Sequence, residues 1–200
     1  MKDQLRLTLP SLSGPICRRD QLPKQGAHHE ENALAASLIA GLLGVAPEVI
    51  GRALRSFEGL PHRQQVVATV RGITFVDDSK STTVASGLSA IQAAPGKVIL
   101  IAGGRDKGSD FRKLRPWTKK LKGAVLFGED GHRIAAALQG AVAVKEVKNL
   151  EEAVAAAYRM AKEREWVLLS PMCTSFDMFR DFEERGEKFS DAVRAIACGA

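Results

Sequence analysis

From residue 64 onward the chain alternates between two hydrophobic periods. Apolar runs at 98–102, 124–127 and 166–169, and the stretch 142–147 with Lys145 and Glu146 inside it, predict strands. Between them apolar positions recur every three to four residues, which predicts helices over 82–93, 111–121, 131–138, 150–162 and 177–196, the last with a candidate break at Gly186. Ahead of this series, 65–70 and 73–76 flank Arg71-Gly72 and predict a hairpin. Strands in alternation with helices argue an α/β, Rossmann-like fold: a mainly parallel sheet with helices on both faces.

The first 63 residues follow another pattern. Leu5, Leu7 and Leu9 alternate as in a short strand, and the Pro- and Arg-rich stretch after them reads as loop. A helix rich in Ala and Leu is predicted over 30–43, apolar on most sides and closed by Gly44, and Pro47 opens a second to about Phe57. Gly59-Leu60-Pro61-His62-Arg63 reads as a hinge, so the expected units are 1–63 and 64–200, the first exposing apolar surface.

A composition of 45% hydrophobic and 26% charged residues is that of a globular protein. No apolar run is long enough to span a bilayer, and the N-terminus lacks a leader's apolar stretch. Cys17, Cys173 and Cys198 are scattered and odd in number, which argues against a disulfide framework or zinc site and for a reducing, cytoplasmic setting. The net charge of +6 raises nucleic acid as a partner. The densest basic stretch, 105–122, carries Phe111, Leu114, Trp117 and Leu121 on one face, so its cations fall on the solvated side. No nucleic-acid motif accompanies them.

Candidate chemistry lies where predicted strands end. Asp77-Asp78-Ser79-Lys80-Ser81-Thr82-Thr83 offers carboxylates, an ammonium and hydroxyls in one turn, and serves equally as a helix cap. Gly103-Gly104-Arg105-Asp106-Lys107-Gly108 lets backbone approach a ligand beside the Lys107 charge, but its spacing is that of no phosphate loop, and a plain turn accounts for it. His28-His29-Glu30 has no third metal ligand at helical spacing. Ser170-Pro171-Met172-Cys173-Thr174-Ser175-Phe176-Asp177 passes from a strand through small hydroxylic residues into a helix, whose N-terminus favours an anion. No His is placed to activate Cys173, which reads as a small buried residue. Phe176, Phe179, Phe182, Phe189, Val193 and Ile196 read as core.

Gly59-Leu60-Pro61-His62-Arg63, Asp78-Ser79-Lys80-Ser81-Thr82 and Ser170-Pro171-Met172-Cys173-Thr174-Ser175-Phe176-Asp177 together resemble the Mur ligases of the D-glutamate-adding type. Gly103-Gly104-Arg105-Asp106-Lys107 and Asn32-Ala33-Leu34-Ala35-Ala36 are similar to two further segments. The resemblance implies an ATP- and magnesium-dependent ligase that joins D-glutamate to UDP-N-acetylmuramoyl-L-alanine through an acyl phosphate. It implies that Lys107 and Thr82 hold one carboxylate of D-glutamate, and Ser175 and the Phe182 backbone the other. Asn32, Arg63, Asp78 and Lys80 would meet ATP, with His62 beside them. The family carries Asn where His29 stands here. Its phosphate loop, metal ligands and uridine-nucleotide domain lie upstream of the matching segments, outside these 200 residues. The expectation is the end of a central ATPase domain plus an entire C-terminal domain, unable to ligate alone. The alternative is a non-catalytic module that binds acidic ligands or nucleotides.

Overall fold

The computed structural model describes residues 3–23 and 27–199, the side chains of 27 and 28 excepted, so any reading of the His28 side chain lies outside the described residues. The chain forms two compact units, Met1–Gly59 and Leu60–Ala200.

In the first unit β1 (Gln4–Thr8) pairs antiparallel with β2 (Ser13–Arg18). The sequence pattern assigned β2 to loop. Gly14 and Pro15 mask it, yet Ile16 and Cys17 join Leu5 and Leu7 in a small core with Leu22, Ala33 and Ile50. Ala33 lies on α1 (Ala27–Leu42) and Ile50 on α2 (Pro47–Arg55), so these helices pack on a hairpin of their own. Beyond that core Ile39, Leu42 and Leu43 are 61%, 67% and 79% exposed.

The second unit is built on a six-stranded sheet of order β3-β4-β8-β5-β6-β7. Strand β3 (Gln65–Val70) is antiparallel to β4 (Ile73–Asp77). Arg71 and Gly72 between them take φ of 47° and 75°, both left-handed as the tight turn of a twisted hairpin requires. The remaining strands, β5 (Val98–Gly103), β6 (Leu121–Phe127), β7 (Ala143–Glu146) and β8 (Trp166–Leu169), run parallel to their neighbours.

Side chains alternate across this sheet. Val98, Leu100 and Ala102 enter one core with α3 (Val84–Ala93) and α4 (Gly131–Leu138). Ile99 and Ile101 enter the other with α5 (Leu150–Met160) and α6 (Phe182–Gly199). All of β5 is therefore buried, which accounts for its unbroken apolar run. Thr83 caps α3, its hydroxyl accepting from the Ser86 N–H at 3.2 Å.

Two helix predictions need correction. Residues 111–121 form a 3-10 helix at Phe111–Trp117, and Leu121 instead opens β6. Phe111, Leu114 and Trp117 are spaced by threes, the repeat of a 3-10 helix, and Pro116 lacks the N–H a longer helix would need. Helix α6 starts at Phe182, not 177, and runs unbroken through Gly186. Ahead of it the Ser175 carbonyl accepts from the Met178 and Phe179 N–H groups, a turn that leaves Phe176 65% exposed rather than in the core.

Candidate functional site

Strands β4, β8 and β5 are adjacent and parallel, so the loops that follow them leave one edge of the sheet together, where open α/β sheets bind ligands. Backbone hydrogen bonds join these loops. The Met172 N–H donates to the Ser81 carbonyl at 2.8 Å, and the Gly103 N–H to the Pro171 carbonyl at 3.0 Å. Arg105 and Thr174 exchange N–H···O bonds of 3.1 and 2.9 Å. Gly103 and Gly104 hold φ of 130° and 124°; a Cβ would stand 1.8 Å from the Phe127 carbonyl oxygen at Gly103 and 2.2 Å from that of Thr174 at Gly104. The room these glycines leave is filled by the protein's own backbone, so they join loops rather than admit a ligand.

Beneath the rim lies a buried polar layer of Asp77, Asp78, Ser79, Ser81, Ser170, Thr174, Ser175 and Arg185. Arg185 is fully buried: its Nε donates to the Ser79 hydroxyl at 3.0 Å, Nη2 to the Ser79 carbonyl at 2.9 Å and Nη1 to the Cys173 carbonyl at 3.2 Å. Burial pulls its guanidinium down to about 10, still charged at neutral pH. The Ser79 hydroxyl donates onward to the Phe182 carbonyl at 2.8 Å. One cation thus ties the loops after β4 and β8 to the start of α6.

The Asp78 carboxylate accepts from the Ser170 hydroxyl at 3.0 Å and the Gln64 N–H at 3.2 Å. Burial outweighs these bonds and pushes Asp78 up to about 6, with the charge on Asp77 acting in the same direction. The nearby Ser81 hydroxyl makes no hydrogen bond of ordinary length and helps the charged form only weakly. Burial likewise drives the Cys173 thiol up to about 12, so it is inert as a nucleophile at neutral pH.

Residues 62–173 match the family model described as "Mur ligase, glutamate ligase domain", more than half of the chain. The chain belongs to the Mur ligase family. It is 43% identical over 184 residues to the UDP-N-acetylmuramoylalanine--D-glutamate ligase of Methylococcus capsulatus, covering 92% of this chain and 40% of that protein. The ligase of the same name from Pseudomonas aeruginosa is 43% identical over 182 residues, covering 88% and 41%. The chain thus spans about 40% of the length of these relatives. Among solved structures, the UDP-N-acetylmuramate-alanine ligase MurC of Thermotoga maritima aligns with a TM-score of 0.65 at 18% identity, over 86% of this chain and 39% of that one. The D-alanyl-D-alanyl-adding ligase of Acinetobacter baumannii aligns with 0.65 at 19%, over 96% and 41%. At these identities the structural likeness concerns the fold.

Against the Mur ligase motifs, the structure distributes the candidate residues as follows. Thr82, Lys107 and Ser175 stand on the three joined loops, half-buried, exposed and buried respectively. Phe182 opens α6, with the Lys80 ammonium 3.6 Å from its ring centroid. The Lys80 N–H donates to the His62 carbonyl at 3.1 Å and the Gln64 N–H to Asp78 Oδ1 at 3.2 Å, which ties the segment holding His62 and Arg63 to the β4 loop that carries Asp78 and Lys80. Asn32 lies on α1, in the first unit.

Sequence reasoning placed Asp77, Ser79 and Ser170 within candidate segments but gave them no role of their own, and it missed Arg185 altogether. The signal for Arg185 was present: it precedes Phe189 and Val193 at four-residue spacing, a charge on the apolar stripe of a Mur ligase helix. Many cations of the basic stretch are engaged locally. Arg105 pairs with Glu129 at 2.8 Å, Arg112 with Asp110 at 2.8 Å and Lys122 with Glu165 at 2.6 Å, while Lys120 donates to the Gln92 carbonyl at 2.6 Å.

Proposed function

We propose that the chain is the D-glutamate-binding, C-terminal part of an ATP-dependent ligase that extends UDP-N-acetylmuramoyl-L-alanine in peptidoglycan synthesis. The observation that carries this reading is the joining of the loops after β4, β8 and β5 at one sheet edge, where they bear Thr82, Ser175 and Lys107 beside the start of α6. An ammonium, hydroxyls and unpaired helix N–H groups together suit a small dicarboxylate. Relatives at 43% identity are named as D-glutamate ligases.

In this reading the dicarboxylate is gripped and its amine oriented, so the gain is one of positioning. Lys107 and Thr82 take one carboxylate, Ser175 and the Phe182 N–H the other. His62, Arg63, Asp78 and Lys80 of the second unit meet the nucleotide; the first unit, which carries Asn32, is a remnant of the central ATPase domain. The aligned MurF ligase of Thermotoga maritima, TM-score 0.57, was solved with ADP, which supports a nucleotide as co-substrate. Among the described residues no group of three or more His, Cys, Asp or Glu could hold a metal, so magnesium is assigned no ligand here. Nor is any described helix long and apolar enough to cross a membrane.

The test adds the missing upstream part as a separate protein. Phosphate release that requires D-glutamate, UDP-N-acetylmuramoyl-L-alanine and both proteins supports the proposal. Silence, with each part folded and D-glutamate bound, favours a binding module without ligation.

A further inference from the structure

His62 stands just ahead of β3 with φ of 59°, the left-handed region in which a side chain is strained. Its Nδ1 lies 2.7 Å from Asp77 Oδ2, while Asp77 Oδ1 accepts from the Ser79 N–H at 2.8 Å. The Asp77 side chain is fully buried and that of His62 is 13% exposed. The ring also meets Phe182 edge to face, with centroids 6.1 Å apart and planes at 80°. Helix α6 passes over the pair at Gly186, where a Cβ would fall 2.1 Å from His62 Nδ1 and 2.7 Å from Asp77 Oδ2. A left-handed histidine, a buried carboxylate and a glycine inside a helix each oppose folding. All three converge on one imidazole, whereas plain helix packing would be served by alanine at 186 and an apolar residue at 62.

We propose that Asp77 is a positioning residue. It fixes His62 with the proton on Nδ1, so that the ring presents Nε2 to the nucleotide, and Gly186 keeps the space this requires. A carboxylate whose two oxygens both accept leaves Nδ1 as the donor, and a neutral ring then carries its lone pair on Nε2. The ligand in this inference rests on the proposed function; the state of the ring does not.

The test uses the whole 200-residue chain, 15N-labelled, at a pH of about 8, where an ordinary imidazole is neutral. Long-range 1H–15N correlations distinguish the tautomers of its four histidines, with His62 identified by its loss in His62→Gln. The Nδ1–H form is expected in the native chain. In Asp77→Asn the amide cannot accept from both the ring and the Ser79 N–H, and with its NH2 turned to the ring the Nε2–H form takes over. Gly186→Ala, whose methyl crowds both His62 Nδ1 and Asp77 Oδ2 and so forces the ring and the carboxylate apart, serves as a second route if Asp77→Asn does not fold. A native Nε2–H form, or a His62 signal unmoved in both variants, overturns the proposal. Titration with ATP forms a separate arm. Binding to the native chain that shifts His62 and weakens about tenfold in Asp77→Asn, the loss of one charge-assisted hydrogen bond, supports the role toward nucleotide. No ATP binding by the native chain sinks the nucleotide reading, while the tautomer arm still decides whether Asp77 positions the ring.

Discussion

Replacing Asp78 by Asn exchanges a buried carboxyl group for an amide of nearly the same shape that can still accept from the Gln64 N–H and hydrogen-bond to Ser170. Asp78 titrates at about 6 in the folded chain against an ordinary value of 3.8. At 1.36 kcal/mol per pH unit, that difference of about two units corresponds to about 3 kcal/mol. The sign follows from proton counting. Between pH 3.8 and 6 the folded chain keeps a proton that the unfolded chain releases. Stability from this group is therefore complete below the unfolded value and is lost as pH rises through about 6. The native protein should lose up to about 3 kcal/mol relative to Asp78→Asn between pH 4 and 7, so the variant is the more stable at neutral pH. Urea unfolding followed by tryptophan fluorescence reads this directly, because Trp117 and Trp166 both belong to the second unit. Taking the difference between the two proteins at each pH cancels the titrating groups that are not coupled to Asp78. A flat difference across that range, or an Asn variant less stable at pH 7, would refute the reasoning and show the ionised Asp78 to be well solvated by its hydroxyl and N–H partners.

Arg185→Ala strands the Ser79 and Cys173 carbonyls in the interior and should lower the stability of the second unit by about 3–5 kcal/mol in the same urea assay; a loss under about 1 kcal/mol would show that the guanidinium organises nothing. Lys107 is exposed, so Lys107→Ala should weaken D-glutamate binding to this chain by only about threefold, as befits a solvated charge pair of under 1 kcal/mol. Unchanged affinity by NMR titration would remove Lys107 from the site. Leu42→Lys, on the uncovered apolar face of α1, should shift sedimentation toward monomer, and a native chain already monomeric at all concentrations would count against association through that face.

The sheet was legible because its strands are nearly all apolar and its hairpin turn contains a glycine. The connections were harder. Strand β2 hid behind Gly14 and Pro15, and only its pairing with β1 gives Ile16 and Cys17 a side to bury. The spacing of Phe111, Leu114 and Trp117 fits a 3-10 helix as well as an α-helix, and tertiary packing decided between them. At the candidate site, the loop hydroxyls and lysines could be read from motifs because they stand between clear elements. The supporting layer could not. Asp77 looks like the end of a strand and Arg185 like one more charge on a helix, until the fold brings them beneath the same loops. Gly186 looked like a break, and the reason it is tolerated lies 124 residues earlier, at His62.

The position of β8 has a consequence for biogenesis. It is last of the strands in sequence yet lies between β4 and β5. Until residue 169 has left the ribosome, the two halves of the sheet share no partner and each presents an open edge to the cell. Such late, long-range closure slows folding and invites association of nascent chains. It also means that a chain cut short before that point carries no part-built rim: the loops at 78–83 and 104–110 meet only once the strand between them has been inserted.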